Sequence, residues 1–441
     1  MSLKGEVNFE KLLNPALWRL KRIFDEHSKD LRIAGGAPRD LLLGKCPSDV
    51  DLATTATPEE MLEMMEKEKI DTINANGIKH GTVTAHIDEV NYEITTLRID
   101  KVTDGRHAEV EFTTDWRVDA NRRDLTINSM FLTFEGEVID YFNGQEDLKS
   151  RNIRFVGHPE ERIQEDYLRI LRYFRFYSRI SEKADNHCRE HLLAIKQNAA
   201  GLAGISGERI WSEMVKILSQ PFDKFFVRYM YELDMAKHMG FPEKISEEQL
   251  TRYDSVSLHE HASPMVKVAV LAGSPLMVEM IDKKLKWSKN EFGAAMAITK
   301  LASHRVPEEN KIEFYLKLRA KLRLNMFTKT EIHKRISSFD EDWAVQLAIY
   351  NDETTSVVQA VKDFTIPDCP IPSATSLTTE HGIEKGPLLM IIHSKLRNNW
   401  IDGLFAPTKD DLLHKMEAIL VKLIEEGIMT PDRKYVKPKK R

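Results

Sequence analysis

The chain has 441 residues, 42% hydrophobic and 30% charged, with a formal net charge of −5. That length suggests two or more domains, and the composition is that of an ordinary globular protein. The three cysteines, Cys46, Cys188 and Cys369, are scattered, which excludes a disulfide framework or a zinc-finger spacing and fits a reducing compartment. No apolar run is long enough to span a bilayer, so no membrane partner is expected. The slightly acidic balance counts mildly against a nucleic-acid partner, although net charge does not report local patches.

In chain order, MSLKGEVNFEKLL lacks the Arg- and Ser-rich, acid-poor character of a transit peptide. NFEKLLNPALWRLKRIFDEH carries apolar residues at helical spacing and predicts one leading helix. LRIAGG then reads as a short strand entering a glycine turn, and a helix opens at Arg39. In SDVDLA, Asp49 and Asp51 stand two apart. On a strand they share a face, with Val50 and Leu52 pointing the other way. Paired carboxylates repel unless a cation sits between them. Mg²⁺ suits that place, since it takes oxygen ligands and leaves room for substrate phosphates. A side-chain-free Gly35-Gly36 turn lets backbone N–H groups approach a phosphate at a helix start.

Joined at this spacing, Gly35-Gly36, Arg39-Asp40 and the Asp49-Asp51 pair resemble the signature of the polymerase-β-like nucleotidyltransferases. More closely, they resemble the class II tRNA nucleotidyltransferases, the CCA-adding enzymes, and GRHAEVEFTTDW and RRDLTINSMF further on look specifically like the animal-type, mitochondrial members. Pro38 departs from that pattern, which has an apolar, non-proline residue there. The resemblance implies an α+β fold: a polymerase-β-like head with a small mixed sheet (1–151), then an all-α neck (152–220), body (221–300) and tail (301–441). It also implies tRNA, CTP and ATP as partners and two Mg²⁺ ions as cofactor, held by Asp49 and Asp51. Oligomeric state stays open, a homodimer included. Mitochondrion, cytoplasm and nucleus all stand as compartments.

Thr57 before Pro58 predicts an N-cap for the helix PEEMLEMMEKEKI. HGTVTAHID and VNYEITTLR read as strands. In the second, Glu93 lies between Tyr92 and Ile94, and could bring a third carboxylate to Asp49 and Asp51 or remain a solvated strand residue. The polar stretch 99–116, with the turn signal Asp104-Gly105, reads as a mobile loop or loose hairpin over the site. In the family, a loop here helps the change from adding C to adding A. RRDLTINSMF (122–131) resembles the family's second motif, in which Arg123 binds nucleotide and the motif contacts the sugar. Asp124 and Asn128, four apart, would share a helical face.

Near Arg151 the resemblance marks a connector. The stretch 160–180 predicts one helix with Ile163, Tyr167, Ile170, Phe174 and Tyr177 as its apolar stripe and Arg172, Arg175 and Arg179 opposite. EDYLRILRYFR within it resembles the family's base-selecting motif. That implies Asp166, Arg169, Arg172 and Arg175 at the base and growing end, with Gly36, Arg39 and Arg123 at the triphosphate and sugar. The chemistry is coherent. Cytosine and adenine each present an amino donor beside a ring-nitrogen acceptor, matching an aspartate and an arginine. Uracil and guanine reverse both groups and would leave buried polar atoms unpaired, at about 1–3 kcal/mol each.

LAGISGERIWSEMVKIL (202–218) resembles a motif that buttresses the neck, and Ser206 with Glu208 and Arg209 looks like a helix start. Beyond Gln220 the chain reads as packed helices without a repeat period. No His-Asp dipeptide occurs, which argues against an HD phosphohydrolase. His259-Glu260-His261 is too closely spaced for a helical metal pair and reads as surface. The stretch 364–403 is proline-punctuated and then helical, and KYVKPKKR is a short basic end. Rival readings are a poly(A) polymerase, an enzyme adding only C or only A, and a catalytically silent RNA-binding relative.

Overall fold

The computed structural model describes residues 2–73, 75–103, 108–304, 306–327, 331–336 and 338–436. The chain divides into two compact units, one of Met1–Lys244 with Lys283–Lys286, the other of Ile245–Asp282 with Trp287–Arg441. The expected head and neck both lie in the first.

That first unit is built on strands β1 (Leu31–Ala34), β2 (Asp51–Thr54), β3 (Asp71–Ile73), β4 (Thr82–Ile87), β5 (Val90–Thr96), β6 (Arg98–Thr103), β7 (Ala108–Phe112), β8 (Phe131–Leu132) and β9 (Val138–Ile139). Seven form one mixed sheet in the order β3-β4-β5-β2-β1-β8-β9. The β2–β5 pair is parallel and sets Asp51 beside Glu93. Alternation explains the strands: in β5, Tyr92 and Ile94 are buried while Glu93 faces out. Asp88 and Glu89, both at positive φ, close the β4–β5 hairpin. Thr57 caps helix Pro58–Lys67 in a reciprocal box with Glu60.

Several expectations need correction. The leading helix is two, Val7–Leu12 and Pro15–Glu26, because Asn14 leaves the helix to accept from the Leu17 N–H ahead of Pro15. The helix after the glycine turn starts at Gly36, three residues early, and runs to Leu42. Pro38 falls in its first turn, where a helix start leaves N–H groups unpaired anyway. Asp49 lies ahead of β2, because β1 ends at Ala34, opposite Asp51, and offers no ladder further back.

Residues 122–131 are not a regular helix. Trp116–Asn121 ends first, and a single 3-10 turn, Thr126–Asn128, follows. The helix over 160–180 is also two, Pro159–Glu165 and Arg169–Ile180, interrupted where Asp166 turns extended (φ −154°, ψ 105°). Stretch 99–116 is an antiparallel β6–β7 hairpin followed by a helix. The Asp104-Gly105 signal lies outside the described residues.

The described elements of the second unit are helices, apart from one bridge between Met429 and Tyr435. Its C-terminal helices, Pro387–Asp402 and Lys409–Glu425, bury Leu388, Ile392, Leu396 and Trp400 against Leu412, Met416 and Leu420. His259 and His261 are half-buried rather than surface, and His261 is hydrogen-bonded to Gln359. Among the described residues no single helix is long and apolar enough to cross a membrane. Of the basic end, residues 437–441 lie outside the described set.

Candidate active site

A cleft of about 920 Å³ opens in the first unit between the sheet and the helices that follow it. Among the described residues it is lined by nine basic side chains against five acidic ones, so the site is cationic although the chain is not. At the sheet end Gly35 turns the chain with φ +69°, and a Cβ there would stand 2.6 Å from Asp51 Oδ2. Only glycine permits both the left-handed backbone and that approach.

Asp51 and Glu93 line this end from neighbouring strands. Partial loss of hydration first, then the Glu93 charge, pushes the Asp51 carboxyl above its ordinary pKa; Arg123 opposes and Asp49 adds. Asp49 itself is exposed, takes the Ser48 hydroxyl, and is absent from the described lining. No three metal-ligating side chains converge among the described residues. The donor set nevertheless suits magnesium. Mg²⁺ is commonly held by one or two carboxylates and completes its shell with water and substrate phosphate. Two like-charged hard-oxygen groups side by side in an open cleft match that demand.

The helical wall is organised differently. Arg172 Nε donates to Asp124 Oδ2 at 2.6 Å, Arg175 Nη1 to Glu213 Oε1 at 3.0 Å, and Arg179 Nη2 to both Asp40 oxygens at 3.2 Å. Burial alone would raise the Asp124 carboxyl, but Arg172 outweighs it and holds it below the usual range. Arg39, Arg172 and Arg175 surround the Phe176 ring, their guanidinium carbons 4.8, 5.7 and 4.4 Å from its centroid. Arg39 is buried, 4% exposed, and donates to Asn128 Oδ1 at 2.6 Å and Asp40 Oδ1 at 3.0 Å. Asn128 also reaches Asp124 at 3.2 Å, so the pair expected on one helix face does meet, across a 3-10 turn.

Arg123 forks onto Asp119 Oδ2 at 3.1 and 3.2 Å, and Arg122 Nε donates to Asp119 Oδ1 at 2.7 Å. The backbone N–H of Arg98, at the base of the β6–β7 hairpin, donates to the same carboxylate at 3.2 Å. Burial of Asp119 would raise its pKa, but Arg123 and Arg122 pull it below its ordinary value. Asp166 lines the cleft at the helix break, and Arg169 beside it donates to the Arg122 carbonyl at 2.7 Å and the Arg162 carbonyl at 3.1 Å.

Gly36, Arg39, Asp51, Glu93, Arg123, Asp166, Arg169, Arg172 and Arg175 thus all line one cleft, with Asp49 outside it. Sequence reasoning missed Arg98, Asp119, Arg122, Phe176, Lys216 and Gln220. Asp119 could have been found, since it stands three and four residues before Arg122 and Arg123, the spacing at which side chains meet across a helical turn. Lys216 and Gln220 carry no such local signal.

The family described as Poly A polymerase head domain matches residues 31–154, and one described as a probable RNA and SrmB-binding site of polymerase A matches 189–244. The mitochondrial CCA tRNA nucleotidyltransferase 1 of Mus musculus is 52% identical over 292 residues, 66% of this chain and 67% of that one. The Danio rerio protein of the same name is 42% identical over 413 residues, 94% of this chain and 93% of its own. The crystal structure of the Bacillus stearothermophilus CCA-adding enzyme in complex with CTP shares the fold, with a TM-score of 0.70 at 23% identity, covering 94% of this chain and 100% of that one. With 42% identity sustained along nearly the whole Danio rerio relative, the chain belongs to the CCA tRNA nucleotidyltransferase family.

Proposed function

We propose that the protein builds or repairs the 3′-terminal CCA of tRNA from CTP and ATP, without a template, releasing pyrophosphate. The observation that carries this reading is one cleft holding the Asp51–Glu93 carboxylates at its sheet end and Asp166 with Arg169 on its helical wall. Both tasks of such an enzyme, bond formation and base choice, need groups within one nucleotide's reach.

In this mechanism Asp49 and Asp51 would hold two Mg²⁺ ions with Glu93 in support. Bound magnesium would supply a lowered pKa at the tRNA 3′-hydroxyl and charge neutralisation at the phosphates. Gly35 leaves space above Asp51, and Gly36 opens the first helical turn beside it. Arg123, fixed by Asp119, presents a cation for triphosphate and sugar. Arg39, locked beneath Phe176, contributes field and position. Arg172 and Arg175, already oriented by their carboxylates, face the growing end. Asp166 accepts from the amino group of C or A, while Arg169 donates to N3 or N1.

The head (1–151) would then carry chemistry, the neck (152–220) base choice, and the body (221–300) and tail (301–441) the rest of the tRNA, read by shape and backbone charge. Similarity to relatives named as mitochondrial supports action on mitochondrial tRNA. Incubating the protein with tRNA lacking CCA, Mg²⁺ and single NTPs tests the reading. CTP should add two residues and ATP should add one after them. ATP-only extension of unrelated RNA would instead indicate a poly(A) polymerase, and no incorporation a silent relative.

A further inference from the structure

The carboxylate end of the sheet has two flanks. Across the order β4-β5-β2-β1, Glu93 on β5 and Asp51 on β2 stand in the middle. On the β1 side lies the Gly35 turn. On the other side lie Thr95 of β5 and, opposite it on the antiparallel ladder, Thr82 of β4. Residues two apart on a strand, and residues paired across a ladder, share a sheet face. Asp51, Glu93, Thr95 and Thr82 therefore form one continuous floor, and all four line the cleft. The Thr82 and Thr95 hydroxyl oxygens are hydrogen-bonded at 3.0 Å, and both residues are half-buried. Each hydroxyl carries one hydrogen and two acceptor lone pairs. Their mutual bond uses one hydrogen, which leaves the other hydrogen and spare lone pairs for a ligand.

The neighbours select that ligand. Two carboxylates beside the pair disfavour an anion, so the pair suits a neutral group that both donates and accepts. A phosphate belongs on the opposite flank, at the Gly35-Gly36 turn. In a displacement at phosphorus the attacking and leaving oxygens lie in line. With the triphosphate on the β1 flank, the attacking 3′-hydroxyl of tRNA comes from the β5 flank. Its neighbour on the same sugar is a 2′-hydroxyl, both donor and acceptor. We propose that Thr82 and Thr95 bind the 2′-hydroxyl of the terminal nucleotide of tRNA and so set the adjoining 3′-hydroxyl over the Asp51–Glu93 end, a role that rests on the reading that tRNA is the strand extended. The pair thereby distinguishes an RNA end from a DNA end.

The test compares tRNA ending before CCA whose last nucleotide carries ribose with the same tRNA carrying 2′-deoxyribose there. It reads kcat/KM for the first C, KM for CTP, and a melting curve for each protein. The wild type should lose about tenfold on the deoxy end, the scale of one or two neutral hydrogen bonds. Thr82→Val/Thr95→Val keeps the β-branched shape and removes both hydroxyls. It should be about tenfold slower on the ribose end, lose nothing further on the deoxy end, and keep its KM for CTP. Thr82→Ser/Thr95→Ser restores the hydroxyls and should recover the preference. Thr95→Val alone carries the comparison if the double valine variant does not fold. A wild type indifferent to the 2′-hydroxyl, or a valine variant that prefers ribose as strongly as wild type, overturns the role of the pair while leaving CCA addition in place. A valine variant whose loss lies in the KM for CTP also overturns it, by moving the pair to the incoming nucleotide. No incorporation on either end by the wild type overturns the reading of function, and the role of the pair with it.

Discussion

At the sheet end of the cleft, Asp51 and Glu93 stand side by side with the same charge. Along the helical wall, Arg172, Arg175 and Arg179 each meet a carboxylate, from Asp124, Glu213 and Asp40. The first arrangement is costly on its own, and a bound cation would relieve it. The second is complete without any ligand. A group that must bind charge is left unsatisfied, whereas a group that must hold a shape is locked in advance. Stability and activity should therefore respond oppositely at the two ends.

The sharpest contrast is Asp51→Asn. It should lower nucleotide incorporation by roughly 10²–10³-fold or more while leaving the melting temperature unchanged or higher, since one like charge is gone. Asp49→Asn should lose incorporation too if the exposed segment before β2 supplies a metal ligand. Near-normal addition by Asp49→Asn in Mg²⁺ would confine that role to Asp51 and Glu93. A marked drop in the Asp51→Asn melting temperature would mean that the two ends follow one rule.

On the helical wall the expected loss is one of stability. Asp124→Ala leaves Arg172 without its carboxylate in a partly buried place and should cost about 2–3 kcal/mol in a denaturant titration. Losing one partner costs more than the pair contributes, because the remaining charge stays desolvated. An Asp124→Ala protein as stable as wild type would show that the wall is not locked in solution.

What the sequence showed and what it hid follow the same division. The sheet end is local: strand, glycine turn, helix and Asp51 fall within 31–54, and the alternation around Glu93 is visible in five residues. The wall is not. Arg172 lies 48 residues from Asp124, Arg175 38 from Glu213, and Arg209 43 from Asp166, so no periodicity announces these pairs. The break at Asp166 has no glycine or proline to mark it; it is set by the turn that Asp166 caps and by a cation from another helix. Asp49 falls outside the strand that its spacing predicts, because the i, i+2 rule needs a ladder and β1 stops opposite Asp51.

Asp119 links the wall to the β6–β7 hairpin through the Arg98 N–H, which makes the hairpin a smaller lever on the same comparison. Deleting 103–107 should reduce terminal A addition more than addition of the two C residues, by about tenfold in relative rate. The wall, being already assembled, should still accept C. Sequencing of the products reads this directly, and equal loss of C and A would remove the hairpin from any switching role.

The smallest effect lies behind the wall. Helix Arg169–Ile180 turns Tyr173, Phe174 and Tyr177 inward. The His187 ring stacks on Tyr177 with centroids 3.6 Å apart, and its Nδ1 is hydrogen-bonded to the Tyr173 hydroxyl at 3.0 Å. Burial first, and then His191, pushes the His187 pKa down to about 4. The folded protein thus keeps this ring neutral where an unfolded chain, with a histidine pKa of about 6.5, takes up a proton. Its stabilising share is whole above that value and is lost as pH falls from about 6.5 towards 4. Urea midpoints at pH 7, 6 and 5 should therefore decline in the wild type and decline less in His187→Phe, with His191, shifted in the same direction, keeping its own share. Equal slopes in the two proteins would mean that water reaches the back of this helix, and that the arginines on its front are held by their carboxylates alone.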